Sequence, residues 1–303
     1  MAVFLALAAA LCFAAGTVLQ QKVAAQASGD EAVSAGFLVR LAREPLWLAG
    51  IAVDGLGFVF QALALKVGQL AVVQPLLAAT IVFALPMGAA LTGKRIGRRE
   101  LIGALAVTGG LALFLVTSNP SDGRDGAPLG DWLLAAAVLG PLSAALFLIG
   151  MRSQGRRRAT YFGLAAGVLF GVSAALTKTT VDQLSEGIPH VVLSWQLYAL
   201  IAVGYASVSL SSASLQTGEL APAIATSMAL DPITSLVLGV TLFEESLRSG
   251  AFAVAAAVVG LGVMIGGITL LAADERGDGR TRRRSSVRSP ARPATAATSS
   301  EGG

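Results

Sequence analysis

The chain has 303 residues, of which 54% are hydrophobic and only 13% charged, with a mean hydropathy of +0.72. Soluble domains carry charge on about a quarter of their residues, so the composition excludes a water-soluble enzyme or a nucleic-acid-binding protein and makes the lipid bilayer the first expected partner. The net charge of +4 is small, and the single cysteine, Cys12, has no second thiol for an internal disulfide.

A bilayer core of about 30 Å takes about 20 apolar residues per helix. On that ruler the chain divides into nine spans, at residues 2–21, 46–65, 70–92, 101–118, 131–150, 160–180, 191–212, 218–242 and 251–272. The fold class is therefore all-α, integral to the membrane. The first span lacks the positive n-region of a secretory signal, so it reads as a retained helix. The connection after it is long, and Val33 to Arg43 alternates apolar and polar residues at helical spacing, as a segment lying flat on the membrane does. The other connections are short, and the one from Asn119 to Gly130 is marked by Asn-Pro, Asp-Gly and Ala-Pro steps. After the ninth span, residues 273–303 are rich in Arg, Ser, Pro and Thr and cannot bury a core, which predicts a disordered basic tail. Its Arg282 to Arg284 cluster carries the charge for contact with anionic lipid, although fixing topology is the simpler role.

Loop charge sets the orientation. Of the 22 lysines and arginines, 18 fall in the alternate connections that begin with the first and end with the tail, whereas Lys66, Arg124, Lys178 and Arg248 belong to the opposite set. Basic loops resist translocation. The expectation is a multi-pass plasma-membrane protein with its N-terminus outside and its C-terminus in the cytoplasm, which needs an odd number of spans.

The two halves resemble each other. Gly68-Gln69-Leu70-Ala71 corresponds to Gly218-Glu219-Leu220-Ala221 at a shift of 150 residues, Gly109 to Gly260 at 151, and Phe13, Gly16 and Leu19 to Phe170, Ser173 and Leu176 at 157. These matches define a first repeat over 1–118, a connector helix at 131–150 and a second repeat over 160–272. An odd connector turns the second four-helix repeat upside down, an arrangement that recurs in secondary transporters with a substrate site at mid-membrane. There is no P-loop, no cluster of His and Cys and no Gly-x-Ser-x-Gly elbow, so the sequence offers no basis for a cofactor or an enzymatic reaction. The lone histidine, His190, reads as interfacial.

Two carboxylates, Asp54 and Asp231, lie alone inside apolar spans. Such a charge costs about 2.5–3.5 kcal/mol at a helix centre on insertion scales, which favours a functional role over a packing one. Gly50, Asp54, Gly57 and Gln61 share one helical face, as do Glu219, Ala223, Ser227, Asp231 and Ser235; Pro232 frees a backbone carbonyl beside the second acid. Gln20, Gln74, Ser227, Tyr205 and Lys178 complete the candidate substrate-binding set with Asp54, Asp231 and Gln61. Most serines, and the glycines at 163, 167 and 171, read instead as helix packing.

The chain resembles the drug/metabolite transporter superfamily, EamA-like, and is closest in pattern to its nine-span NIPA-type magnesium-transporter branch. The resemblance is carried by Leu46-Trp47-Leu48-Ala49-Gly50, Gly55 and Gly57, Gln74-Pro75-Leu76, Lys94-Arg95-Ile96, Thr117-Ser118-Asn119-Pro120, Val18-Leu19-Gln20-Gln21-Lys22, Lys178 and Leu242-Phe243-Glu244-Glu245. It implies alternating access and a small-molecule or cation substrate, and in the branch a divalent cation on Asp54 and Asp231. The chain departs from the branch where Phe58 stands at the position of its second-span Glu and Lys94-Arg95 at that of its Glu-Arg pair. Three readings stay open: a metabolite or cation transporter, a magnesium transporter, and a non-transporting scaffold or sensor. The chain works as a monomer or a homodimer in any of them. Both aspartates sit at similar depth on helices running the same way, which predicts a shared midplane site.

Overall fold

In a computed structural model the described residues are 1–24, 44–93, 96–118, 123–124, 126–215, 217, 220–246 and 251–287. The described residues are almost all helical, and nine of their helical segments are long and apolar enough to cross a membrane. They run Ala2–Gln20, Pro45–Val67, Leu70–Leu91, Arg98–Thr117, Leu129–Met151, Gly155–Glu186, Trp195–Leu215, Pro222–Leu242 and Phe252–Leu271. This is the make-up of a multi-pass membrane protein. Large apolar side chains such as Leu101, Leu105, Leu134, Phe252 and Val258 point outward, where an acyl-chain environment, unlike water, accepts them without cost. The amphipathic segment expected at Val33 to Arg43 lies outside the described residues.

Three local features depart from the sequence reading. The third span is broken into Leu70–Leu77 and Ala79–Thr92: Pro75 supplies no N–H, and the Ala78 N–H turns to the Pro75 carbonyl three residues back. The seventh span begins at Trp195 rather than 191, because Ile188–Leu193 forms a separate short helix ended by extended Ser194, whose hydroxyl donates to the Val191 carbonyl. Beyond the apolar window ending at Leu271, the ninth helix runs on to Val287, into the segment expected to be disordered; residues 288–303 lie outside the described set.

Glycines set how the spans cross. Gly16 lies against Gly50 and Asp54, and Gly57 against Phe13, so the first and second spans pack antiparallel. Gly163 faces Ala223 and Thr226, Gly167 faces Ser227 and Leu230, and Gly171 faces Thr234, so the sixth and eighth run parallel. Gly103 meets Gly267 while Gly110 meets Gly260, an antiparallel crossing of the fourth and ninth. A Cβ on Gly110 would stand 2.5 Å from both the Gly260 oxygen and the Met264 nitrogen, backbone atoms that cannot give way. The packing role read for the glycines at 163, 167 and 171 is thus met. The fifth span is peripheral and packs chiefly on the sixth. The core gathers where the first half of the third span meets the first, sixth and eighth, around Leu70, Val73, Leu176, Leu238 and Phe243.

Candidate functional site

Asp54 sits on the face of the second span that the sequence marked, with Gly50 and Gly57 buried against the first span. The space a side chain at Gly16 would fill is taken by the Asp54 carboxylate, and the Gln20 amide donates to it at 2.5 Å. Two predicted residues, Gln20 and Asp54, are therefore brought together. Gln61 lies two turns farther along the same helix, partly buried.

Asp231 occupies the corresponding stripe on the eighth span. Ser235, fully buried, donates to it at 3.3 Å, and its backbone lies against Gly167 and Gly171 of the sixth span. Ser227 enters this contact through its carbonyl, which faces Gly167. Asp54 thus stands at the contact of the first and second spans and Asp231 at that of the sixth and eighth. Among the described residues no three His, Cys, Asp or Glu side chains gather where they could hold a metal ion. Tyr205 is 77% exposed, on the outer face of the seventh span, and joins none of the other candidates.

The most heavily connected polar cluster lies at one end of the spans, around Lys178. This side chain is buried, only 7% exposed. Its Nζ donates to the Gly68 carbonyl at 3.2 Å and reaches the Leu65 carbonyl at 3.5 Å, stands 4.0 Å from Glu245 and 5.4 Å from the centre of the Phe243 ring. Glu245 is almost wholly buried, and its two oxygens accept the N–H groups of Leu70 at 2.6 Å and Ala71 at 2.9 Å. The pair thus satisfies carbonyls at the end of the second span and amides at the start of the third, both otherwise orphaned. Burial pushes the Glu245 carboxyl above its ordinary value of 4.5, and the two amides and Lys178 pull it partly back.

Glu245 reaches this position because the eighth helix ends abruptly. Glu244 takes a left-handed backbone, φ 53°, and the Phe243 and Glu245 N–H groups fold back onto the Leu238 and Gly239 carbonyls. Gly239 leaves room for the Glu245 carboxylate. Arg124 braces the same turn: its backbone N–H donates to the Phe243 carbonyl, its side chain to the Leu242 carbonyl, and it pairs with Asp131 and Glu244. Glu245 is the residue sequence reasoning missed as a site. Its signal was an acid immediately past an apolar span, which looks like any loop charge.

Above this cluster opens a polar cleft of about 430 Å³, lined by Lys66, Thr179, Gln183, Glu186, Gln196 and Ala127 among others. Glu186 there pairs with His190 at 3.0 Å, in keeping with the interfacial reading of the histidine. One turn beneath the cluster is Gln74, 3% exposed, whose amide nitrogen has no hydrogen-bond partner. At the opposite end a second cleft of about 350 Å³ is lined by Gln154, Gly155, Arg158, Ala213 and Thr217. Neither aspartate lines either cleft.

The chain is 30% identical, over 249 residues, to an uncharacterized protein of Corynebacterium glutamicum, an alignment that covers 82% of this chain and 86% of the other. No family model matches the chain, and no solved structure matches it.

Proposed function

The chain belongs to one family with that Corynebacterium glutamicum protein, and from the architecture described we propose that it is a secondary transporter of the drug/metabolite type, moving a small polar metabolite or cation across the plasma membrane by alternating access. The observation that carries this reading is the pair of lone carboxylates inside membrane spans, each held by one neighbouring polar side chain, Asp54 by Gln20 and Asp231 by Ser235.

Other packing supports the same reading. The first span touches the second and third, and the sixth touches the seventh and eighth, as two copies of one four-helix unit around a connector would. The charge of the loops favours an N-terminus outside and a C-terminus inside. Asp54, braced by Gln20, and Asp231, braced by Ser235, are the groups that take a cationic part of the solute or a coupling proton. Their separate bracing favours an organic solute or a proton over a metal ion held by both acids at once, so divalent-cation transport is the weaker alternative. A scaffold or sensor gives no reason for lone carboxylates inside two spans.

Uptake into proteoliposomes tests this directly, with labelled amines, amino-acid-like zwitterions and magnesium as separate probes. Saturable flux of an organic solute is expected. Flux of magnesium alone would replace the reading with the metal one, and no flux of any probe, from protein shown to be folded, would leave the scaffold.

A further inference from the structure

The Lys178–Glu245 cluster ties together parts of the chain that belong to different repeats. Lys178 comes from the sixth span and Glu245 from the turn after the eighth, while the groups they hold, Leu65, Gly68, Leu70 and Ala71, form the turn between the second and third. On either side of it lie features of a solute path. The 430 Å³ cleft reaches Thr179 and Lys66, the sequence neighbours of Lys178 and Leu65. One turn below, Gln74 offers a buried amide nitrogen with no acceptor, a group that is costly to bury unless water or a ligand satisfies it.

We propose that Lys178 and Glu245 form a latch between the repeats that closes this end of the path over Gln74, and that Gln74 hydrogen-bonds an acceptor oxygen of the solute when the latch is open. The latch presupposes the transporter reading. Its chemistry suits a gate. The backbone partners of the pair all lie at the turn between the second and third spans, so those contacts release together when that turn lifts away, while Lys178, Glu245 and the Phe243 ring stay on the other side of the opening. Entry of water then hydrates both charges and offsets the lost backbone contacts. The solute class follows from Gln74: a carbonyl, carboxylate or hydroxyl oxygen meets its N–H, and a purely hydrocarbon cation leaves it unpaired.

The test uses the full chain in nanodiscs, where a hydrophilic thiol reagent reaches both faces, with Cys12→Ala as background. Gln74→Cys reports the latched end and Ala213→Cys the cleft at the other end. Each reporter is combined with Lys178→Met and with Lys178→Met/Glu245→Gln, the second of which leaves no lone buried charge if the first folds poorly. A minor open state of at most about 10% leaves room for about a tenfold rise, so labelling at position 74 should quicken by about that factor while labelling at 213 slows. Unchanged labelling at both positions overturns the latch, and so does faster labelling at both, which marks a loosened fold. Flux through the wild type in proteoliposomes with neither labelling change removes the latch alone. Reciprocal labelling with no flux of any probe through the wild type keeps the latch and removes the transport reading.

Discussion

Replacing Lys178 by Met removes the cation from a nearly anhydrous cluster and keeps most of its volume. At 4.0 Å from Glu245, the attraction lost is about 4 kcal/mol with an effective dielectric constant of about 20. The Gly68 and Leu65 carbonyls lose their donor as well. Relief from burying the ammonium offsets part of this, and the net cost of breaking such a pair from one side is about 3–5 kcal/mol. The cost depends on pH in a definite direction. Without Lys178 the Glu245 carboxyl loses the cation that pulled it down and is held further above its ordinary value, so the deficit is largest at high pH, where the carboxyl is ionised, and shrinks as the pH falls. Glu245→Gln in the same background should restore much of the loss, because no lone charge stays buried. Unfolding in mixed detergent and SDS micelles at pH 5 and pH 8, for the wild type, both single variants and the double, gives the cycle. Additive losses, or a Lys178→Met protein within about 0.5 kcal/mol of wild type at pH 8, would refute the account of this cluster.

Other substitutions probe separate links. Gly110→Leu drives a side chain into the Gly260 and Met264 backbone and should prevent a folded monodisperse protein, whereas Gly109→Leu, with open space at its Cβ position, should be tolerated within about 0.5 kcal/mol; size-exclusion chromatography in detergent separates the outcomes. The raised pKa of Glu245 means that the folded chain holds this proton more tightly than the unfolded chain, so its contribution to stability is full below pH 4.5 and declines as pH rises through the folded value. Glu245→Gln should flatten that part of the stability curve. Gln20→Leu takes the hydrogen bond from Asp54 and should weaken solute affinity, read as a raised KM, without abolishing flux.

The spans were legible because hydropathy is a local property: a run of about 20 apolar residues needs no partner to be recognised. The faces were legible for the same reason. Gly50, Asp54 and Gly57 do turn to one neighbour, and Gly163, Gly167 and Gly171 to another, since helical periodicity alone puts them in line. What stayed hidden depends on contacts far apart in sequence. Nothing local distinguishes Glu245 from Glu244, yet the left-handed backbone at Glu244 aims one acid into the core and leaves the other 69% exposed beside Arg124. Lys178 stands out as a rare cation in the opposing set of loops, but its partners lie 110 and 113 residues away. Tyr205 looked like a site residue by chemistry and faces outward, because a helix in lipid has no polar side to orient it by solvent.

The central claim is that this chain moves a solute by way of its two intramembrane carboxylates. Flux of the best probe into proteoliposomes, compared for the wild type, Asp54→Asn and Asp231→Asn at matched amounts of folded protein, tests it most directly. The account predicts saturable wild-type flux that falls at least about tenfold in one or both variants, the loss expected for removing a charge bound directly by the solute. Equal flux from all three proteins would contradict it.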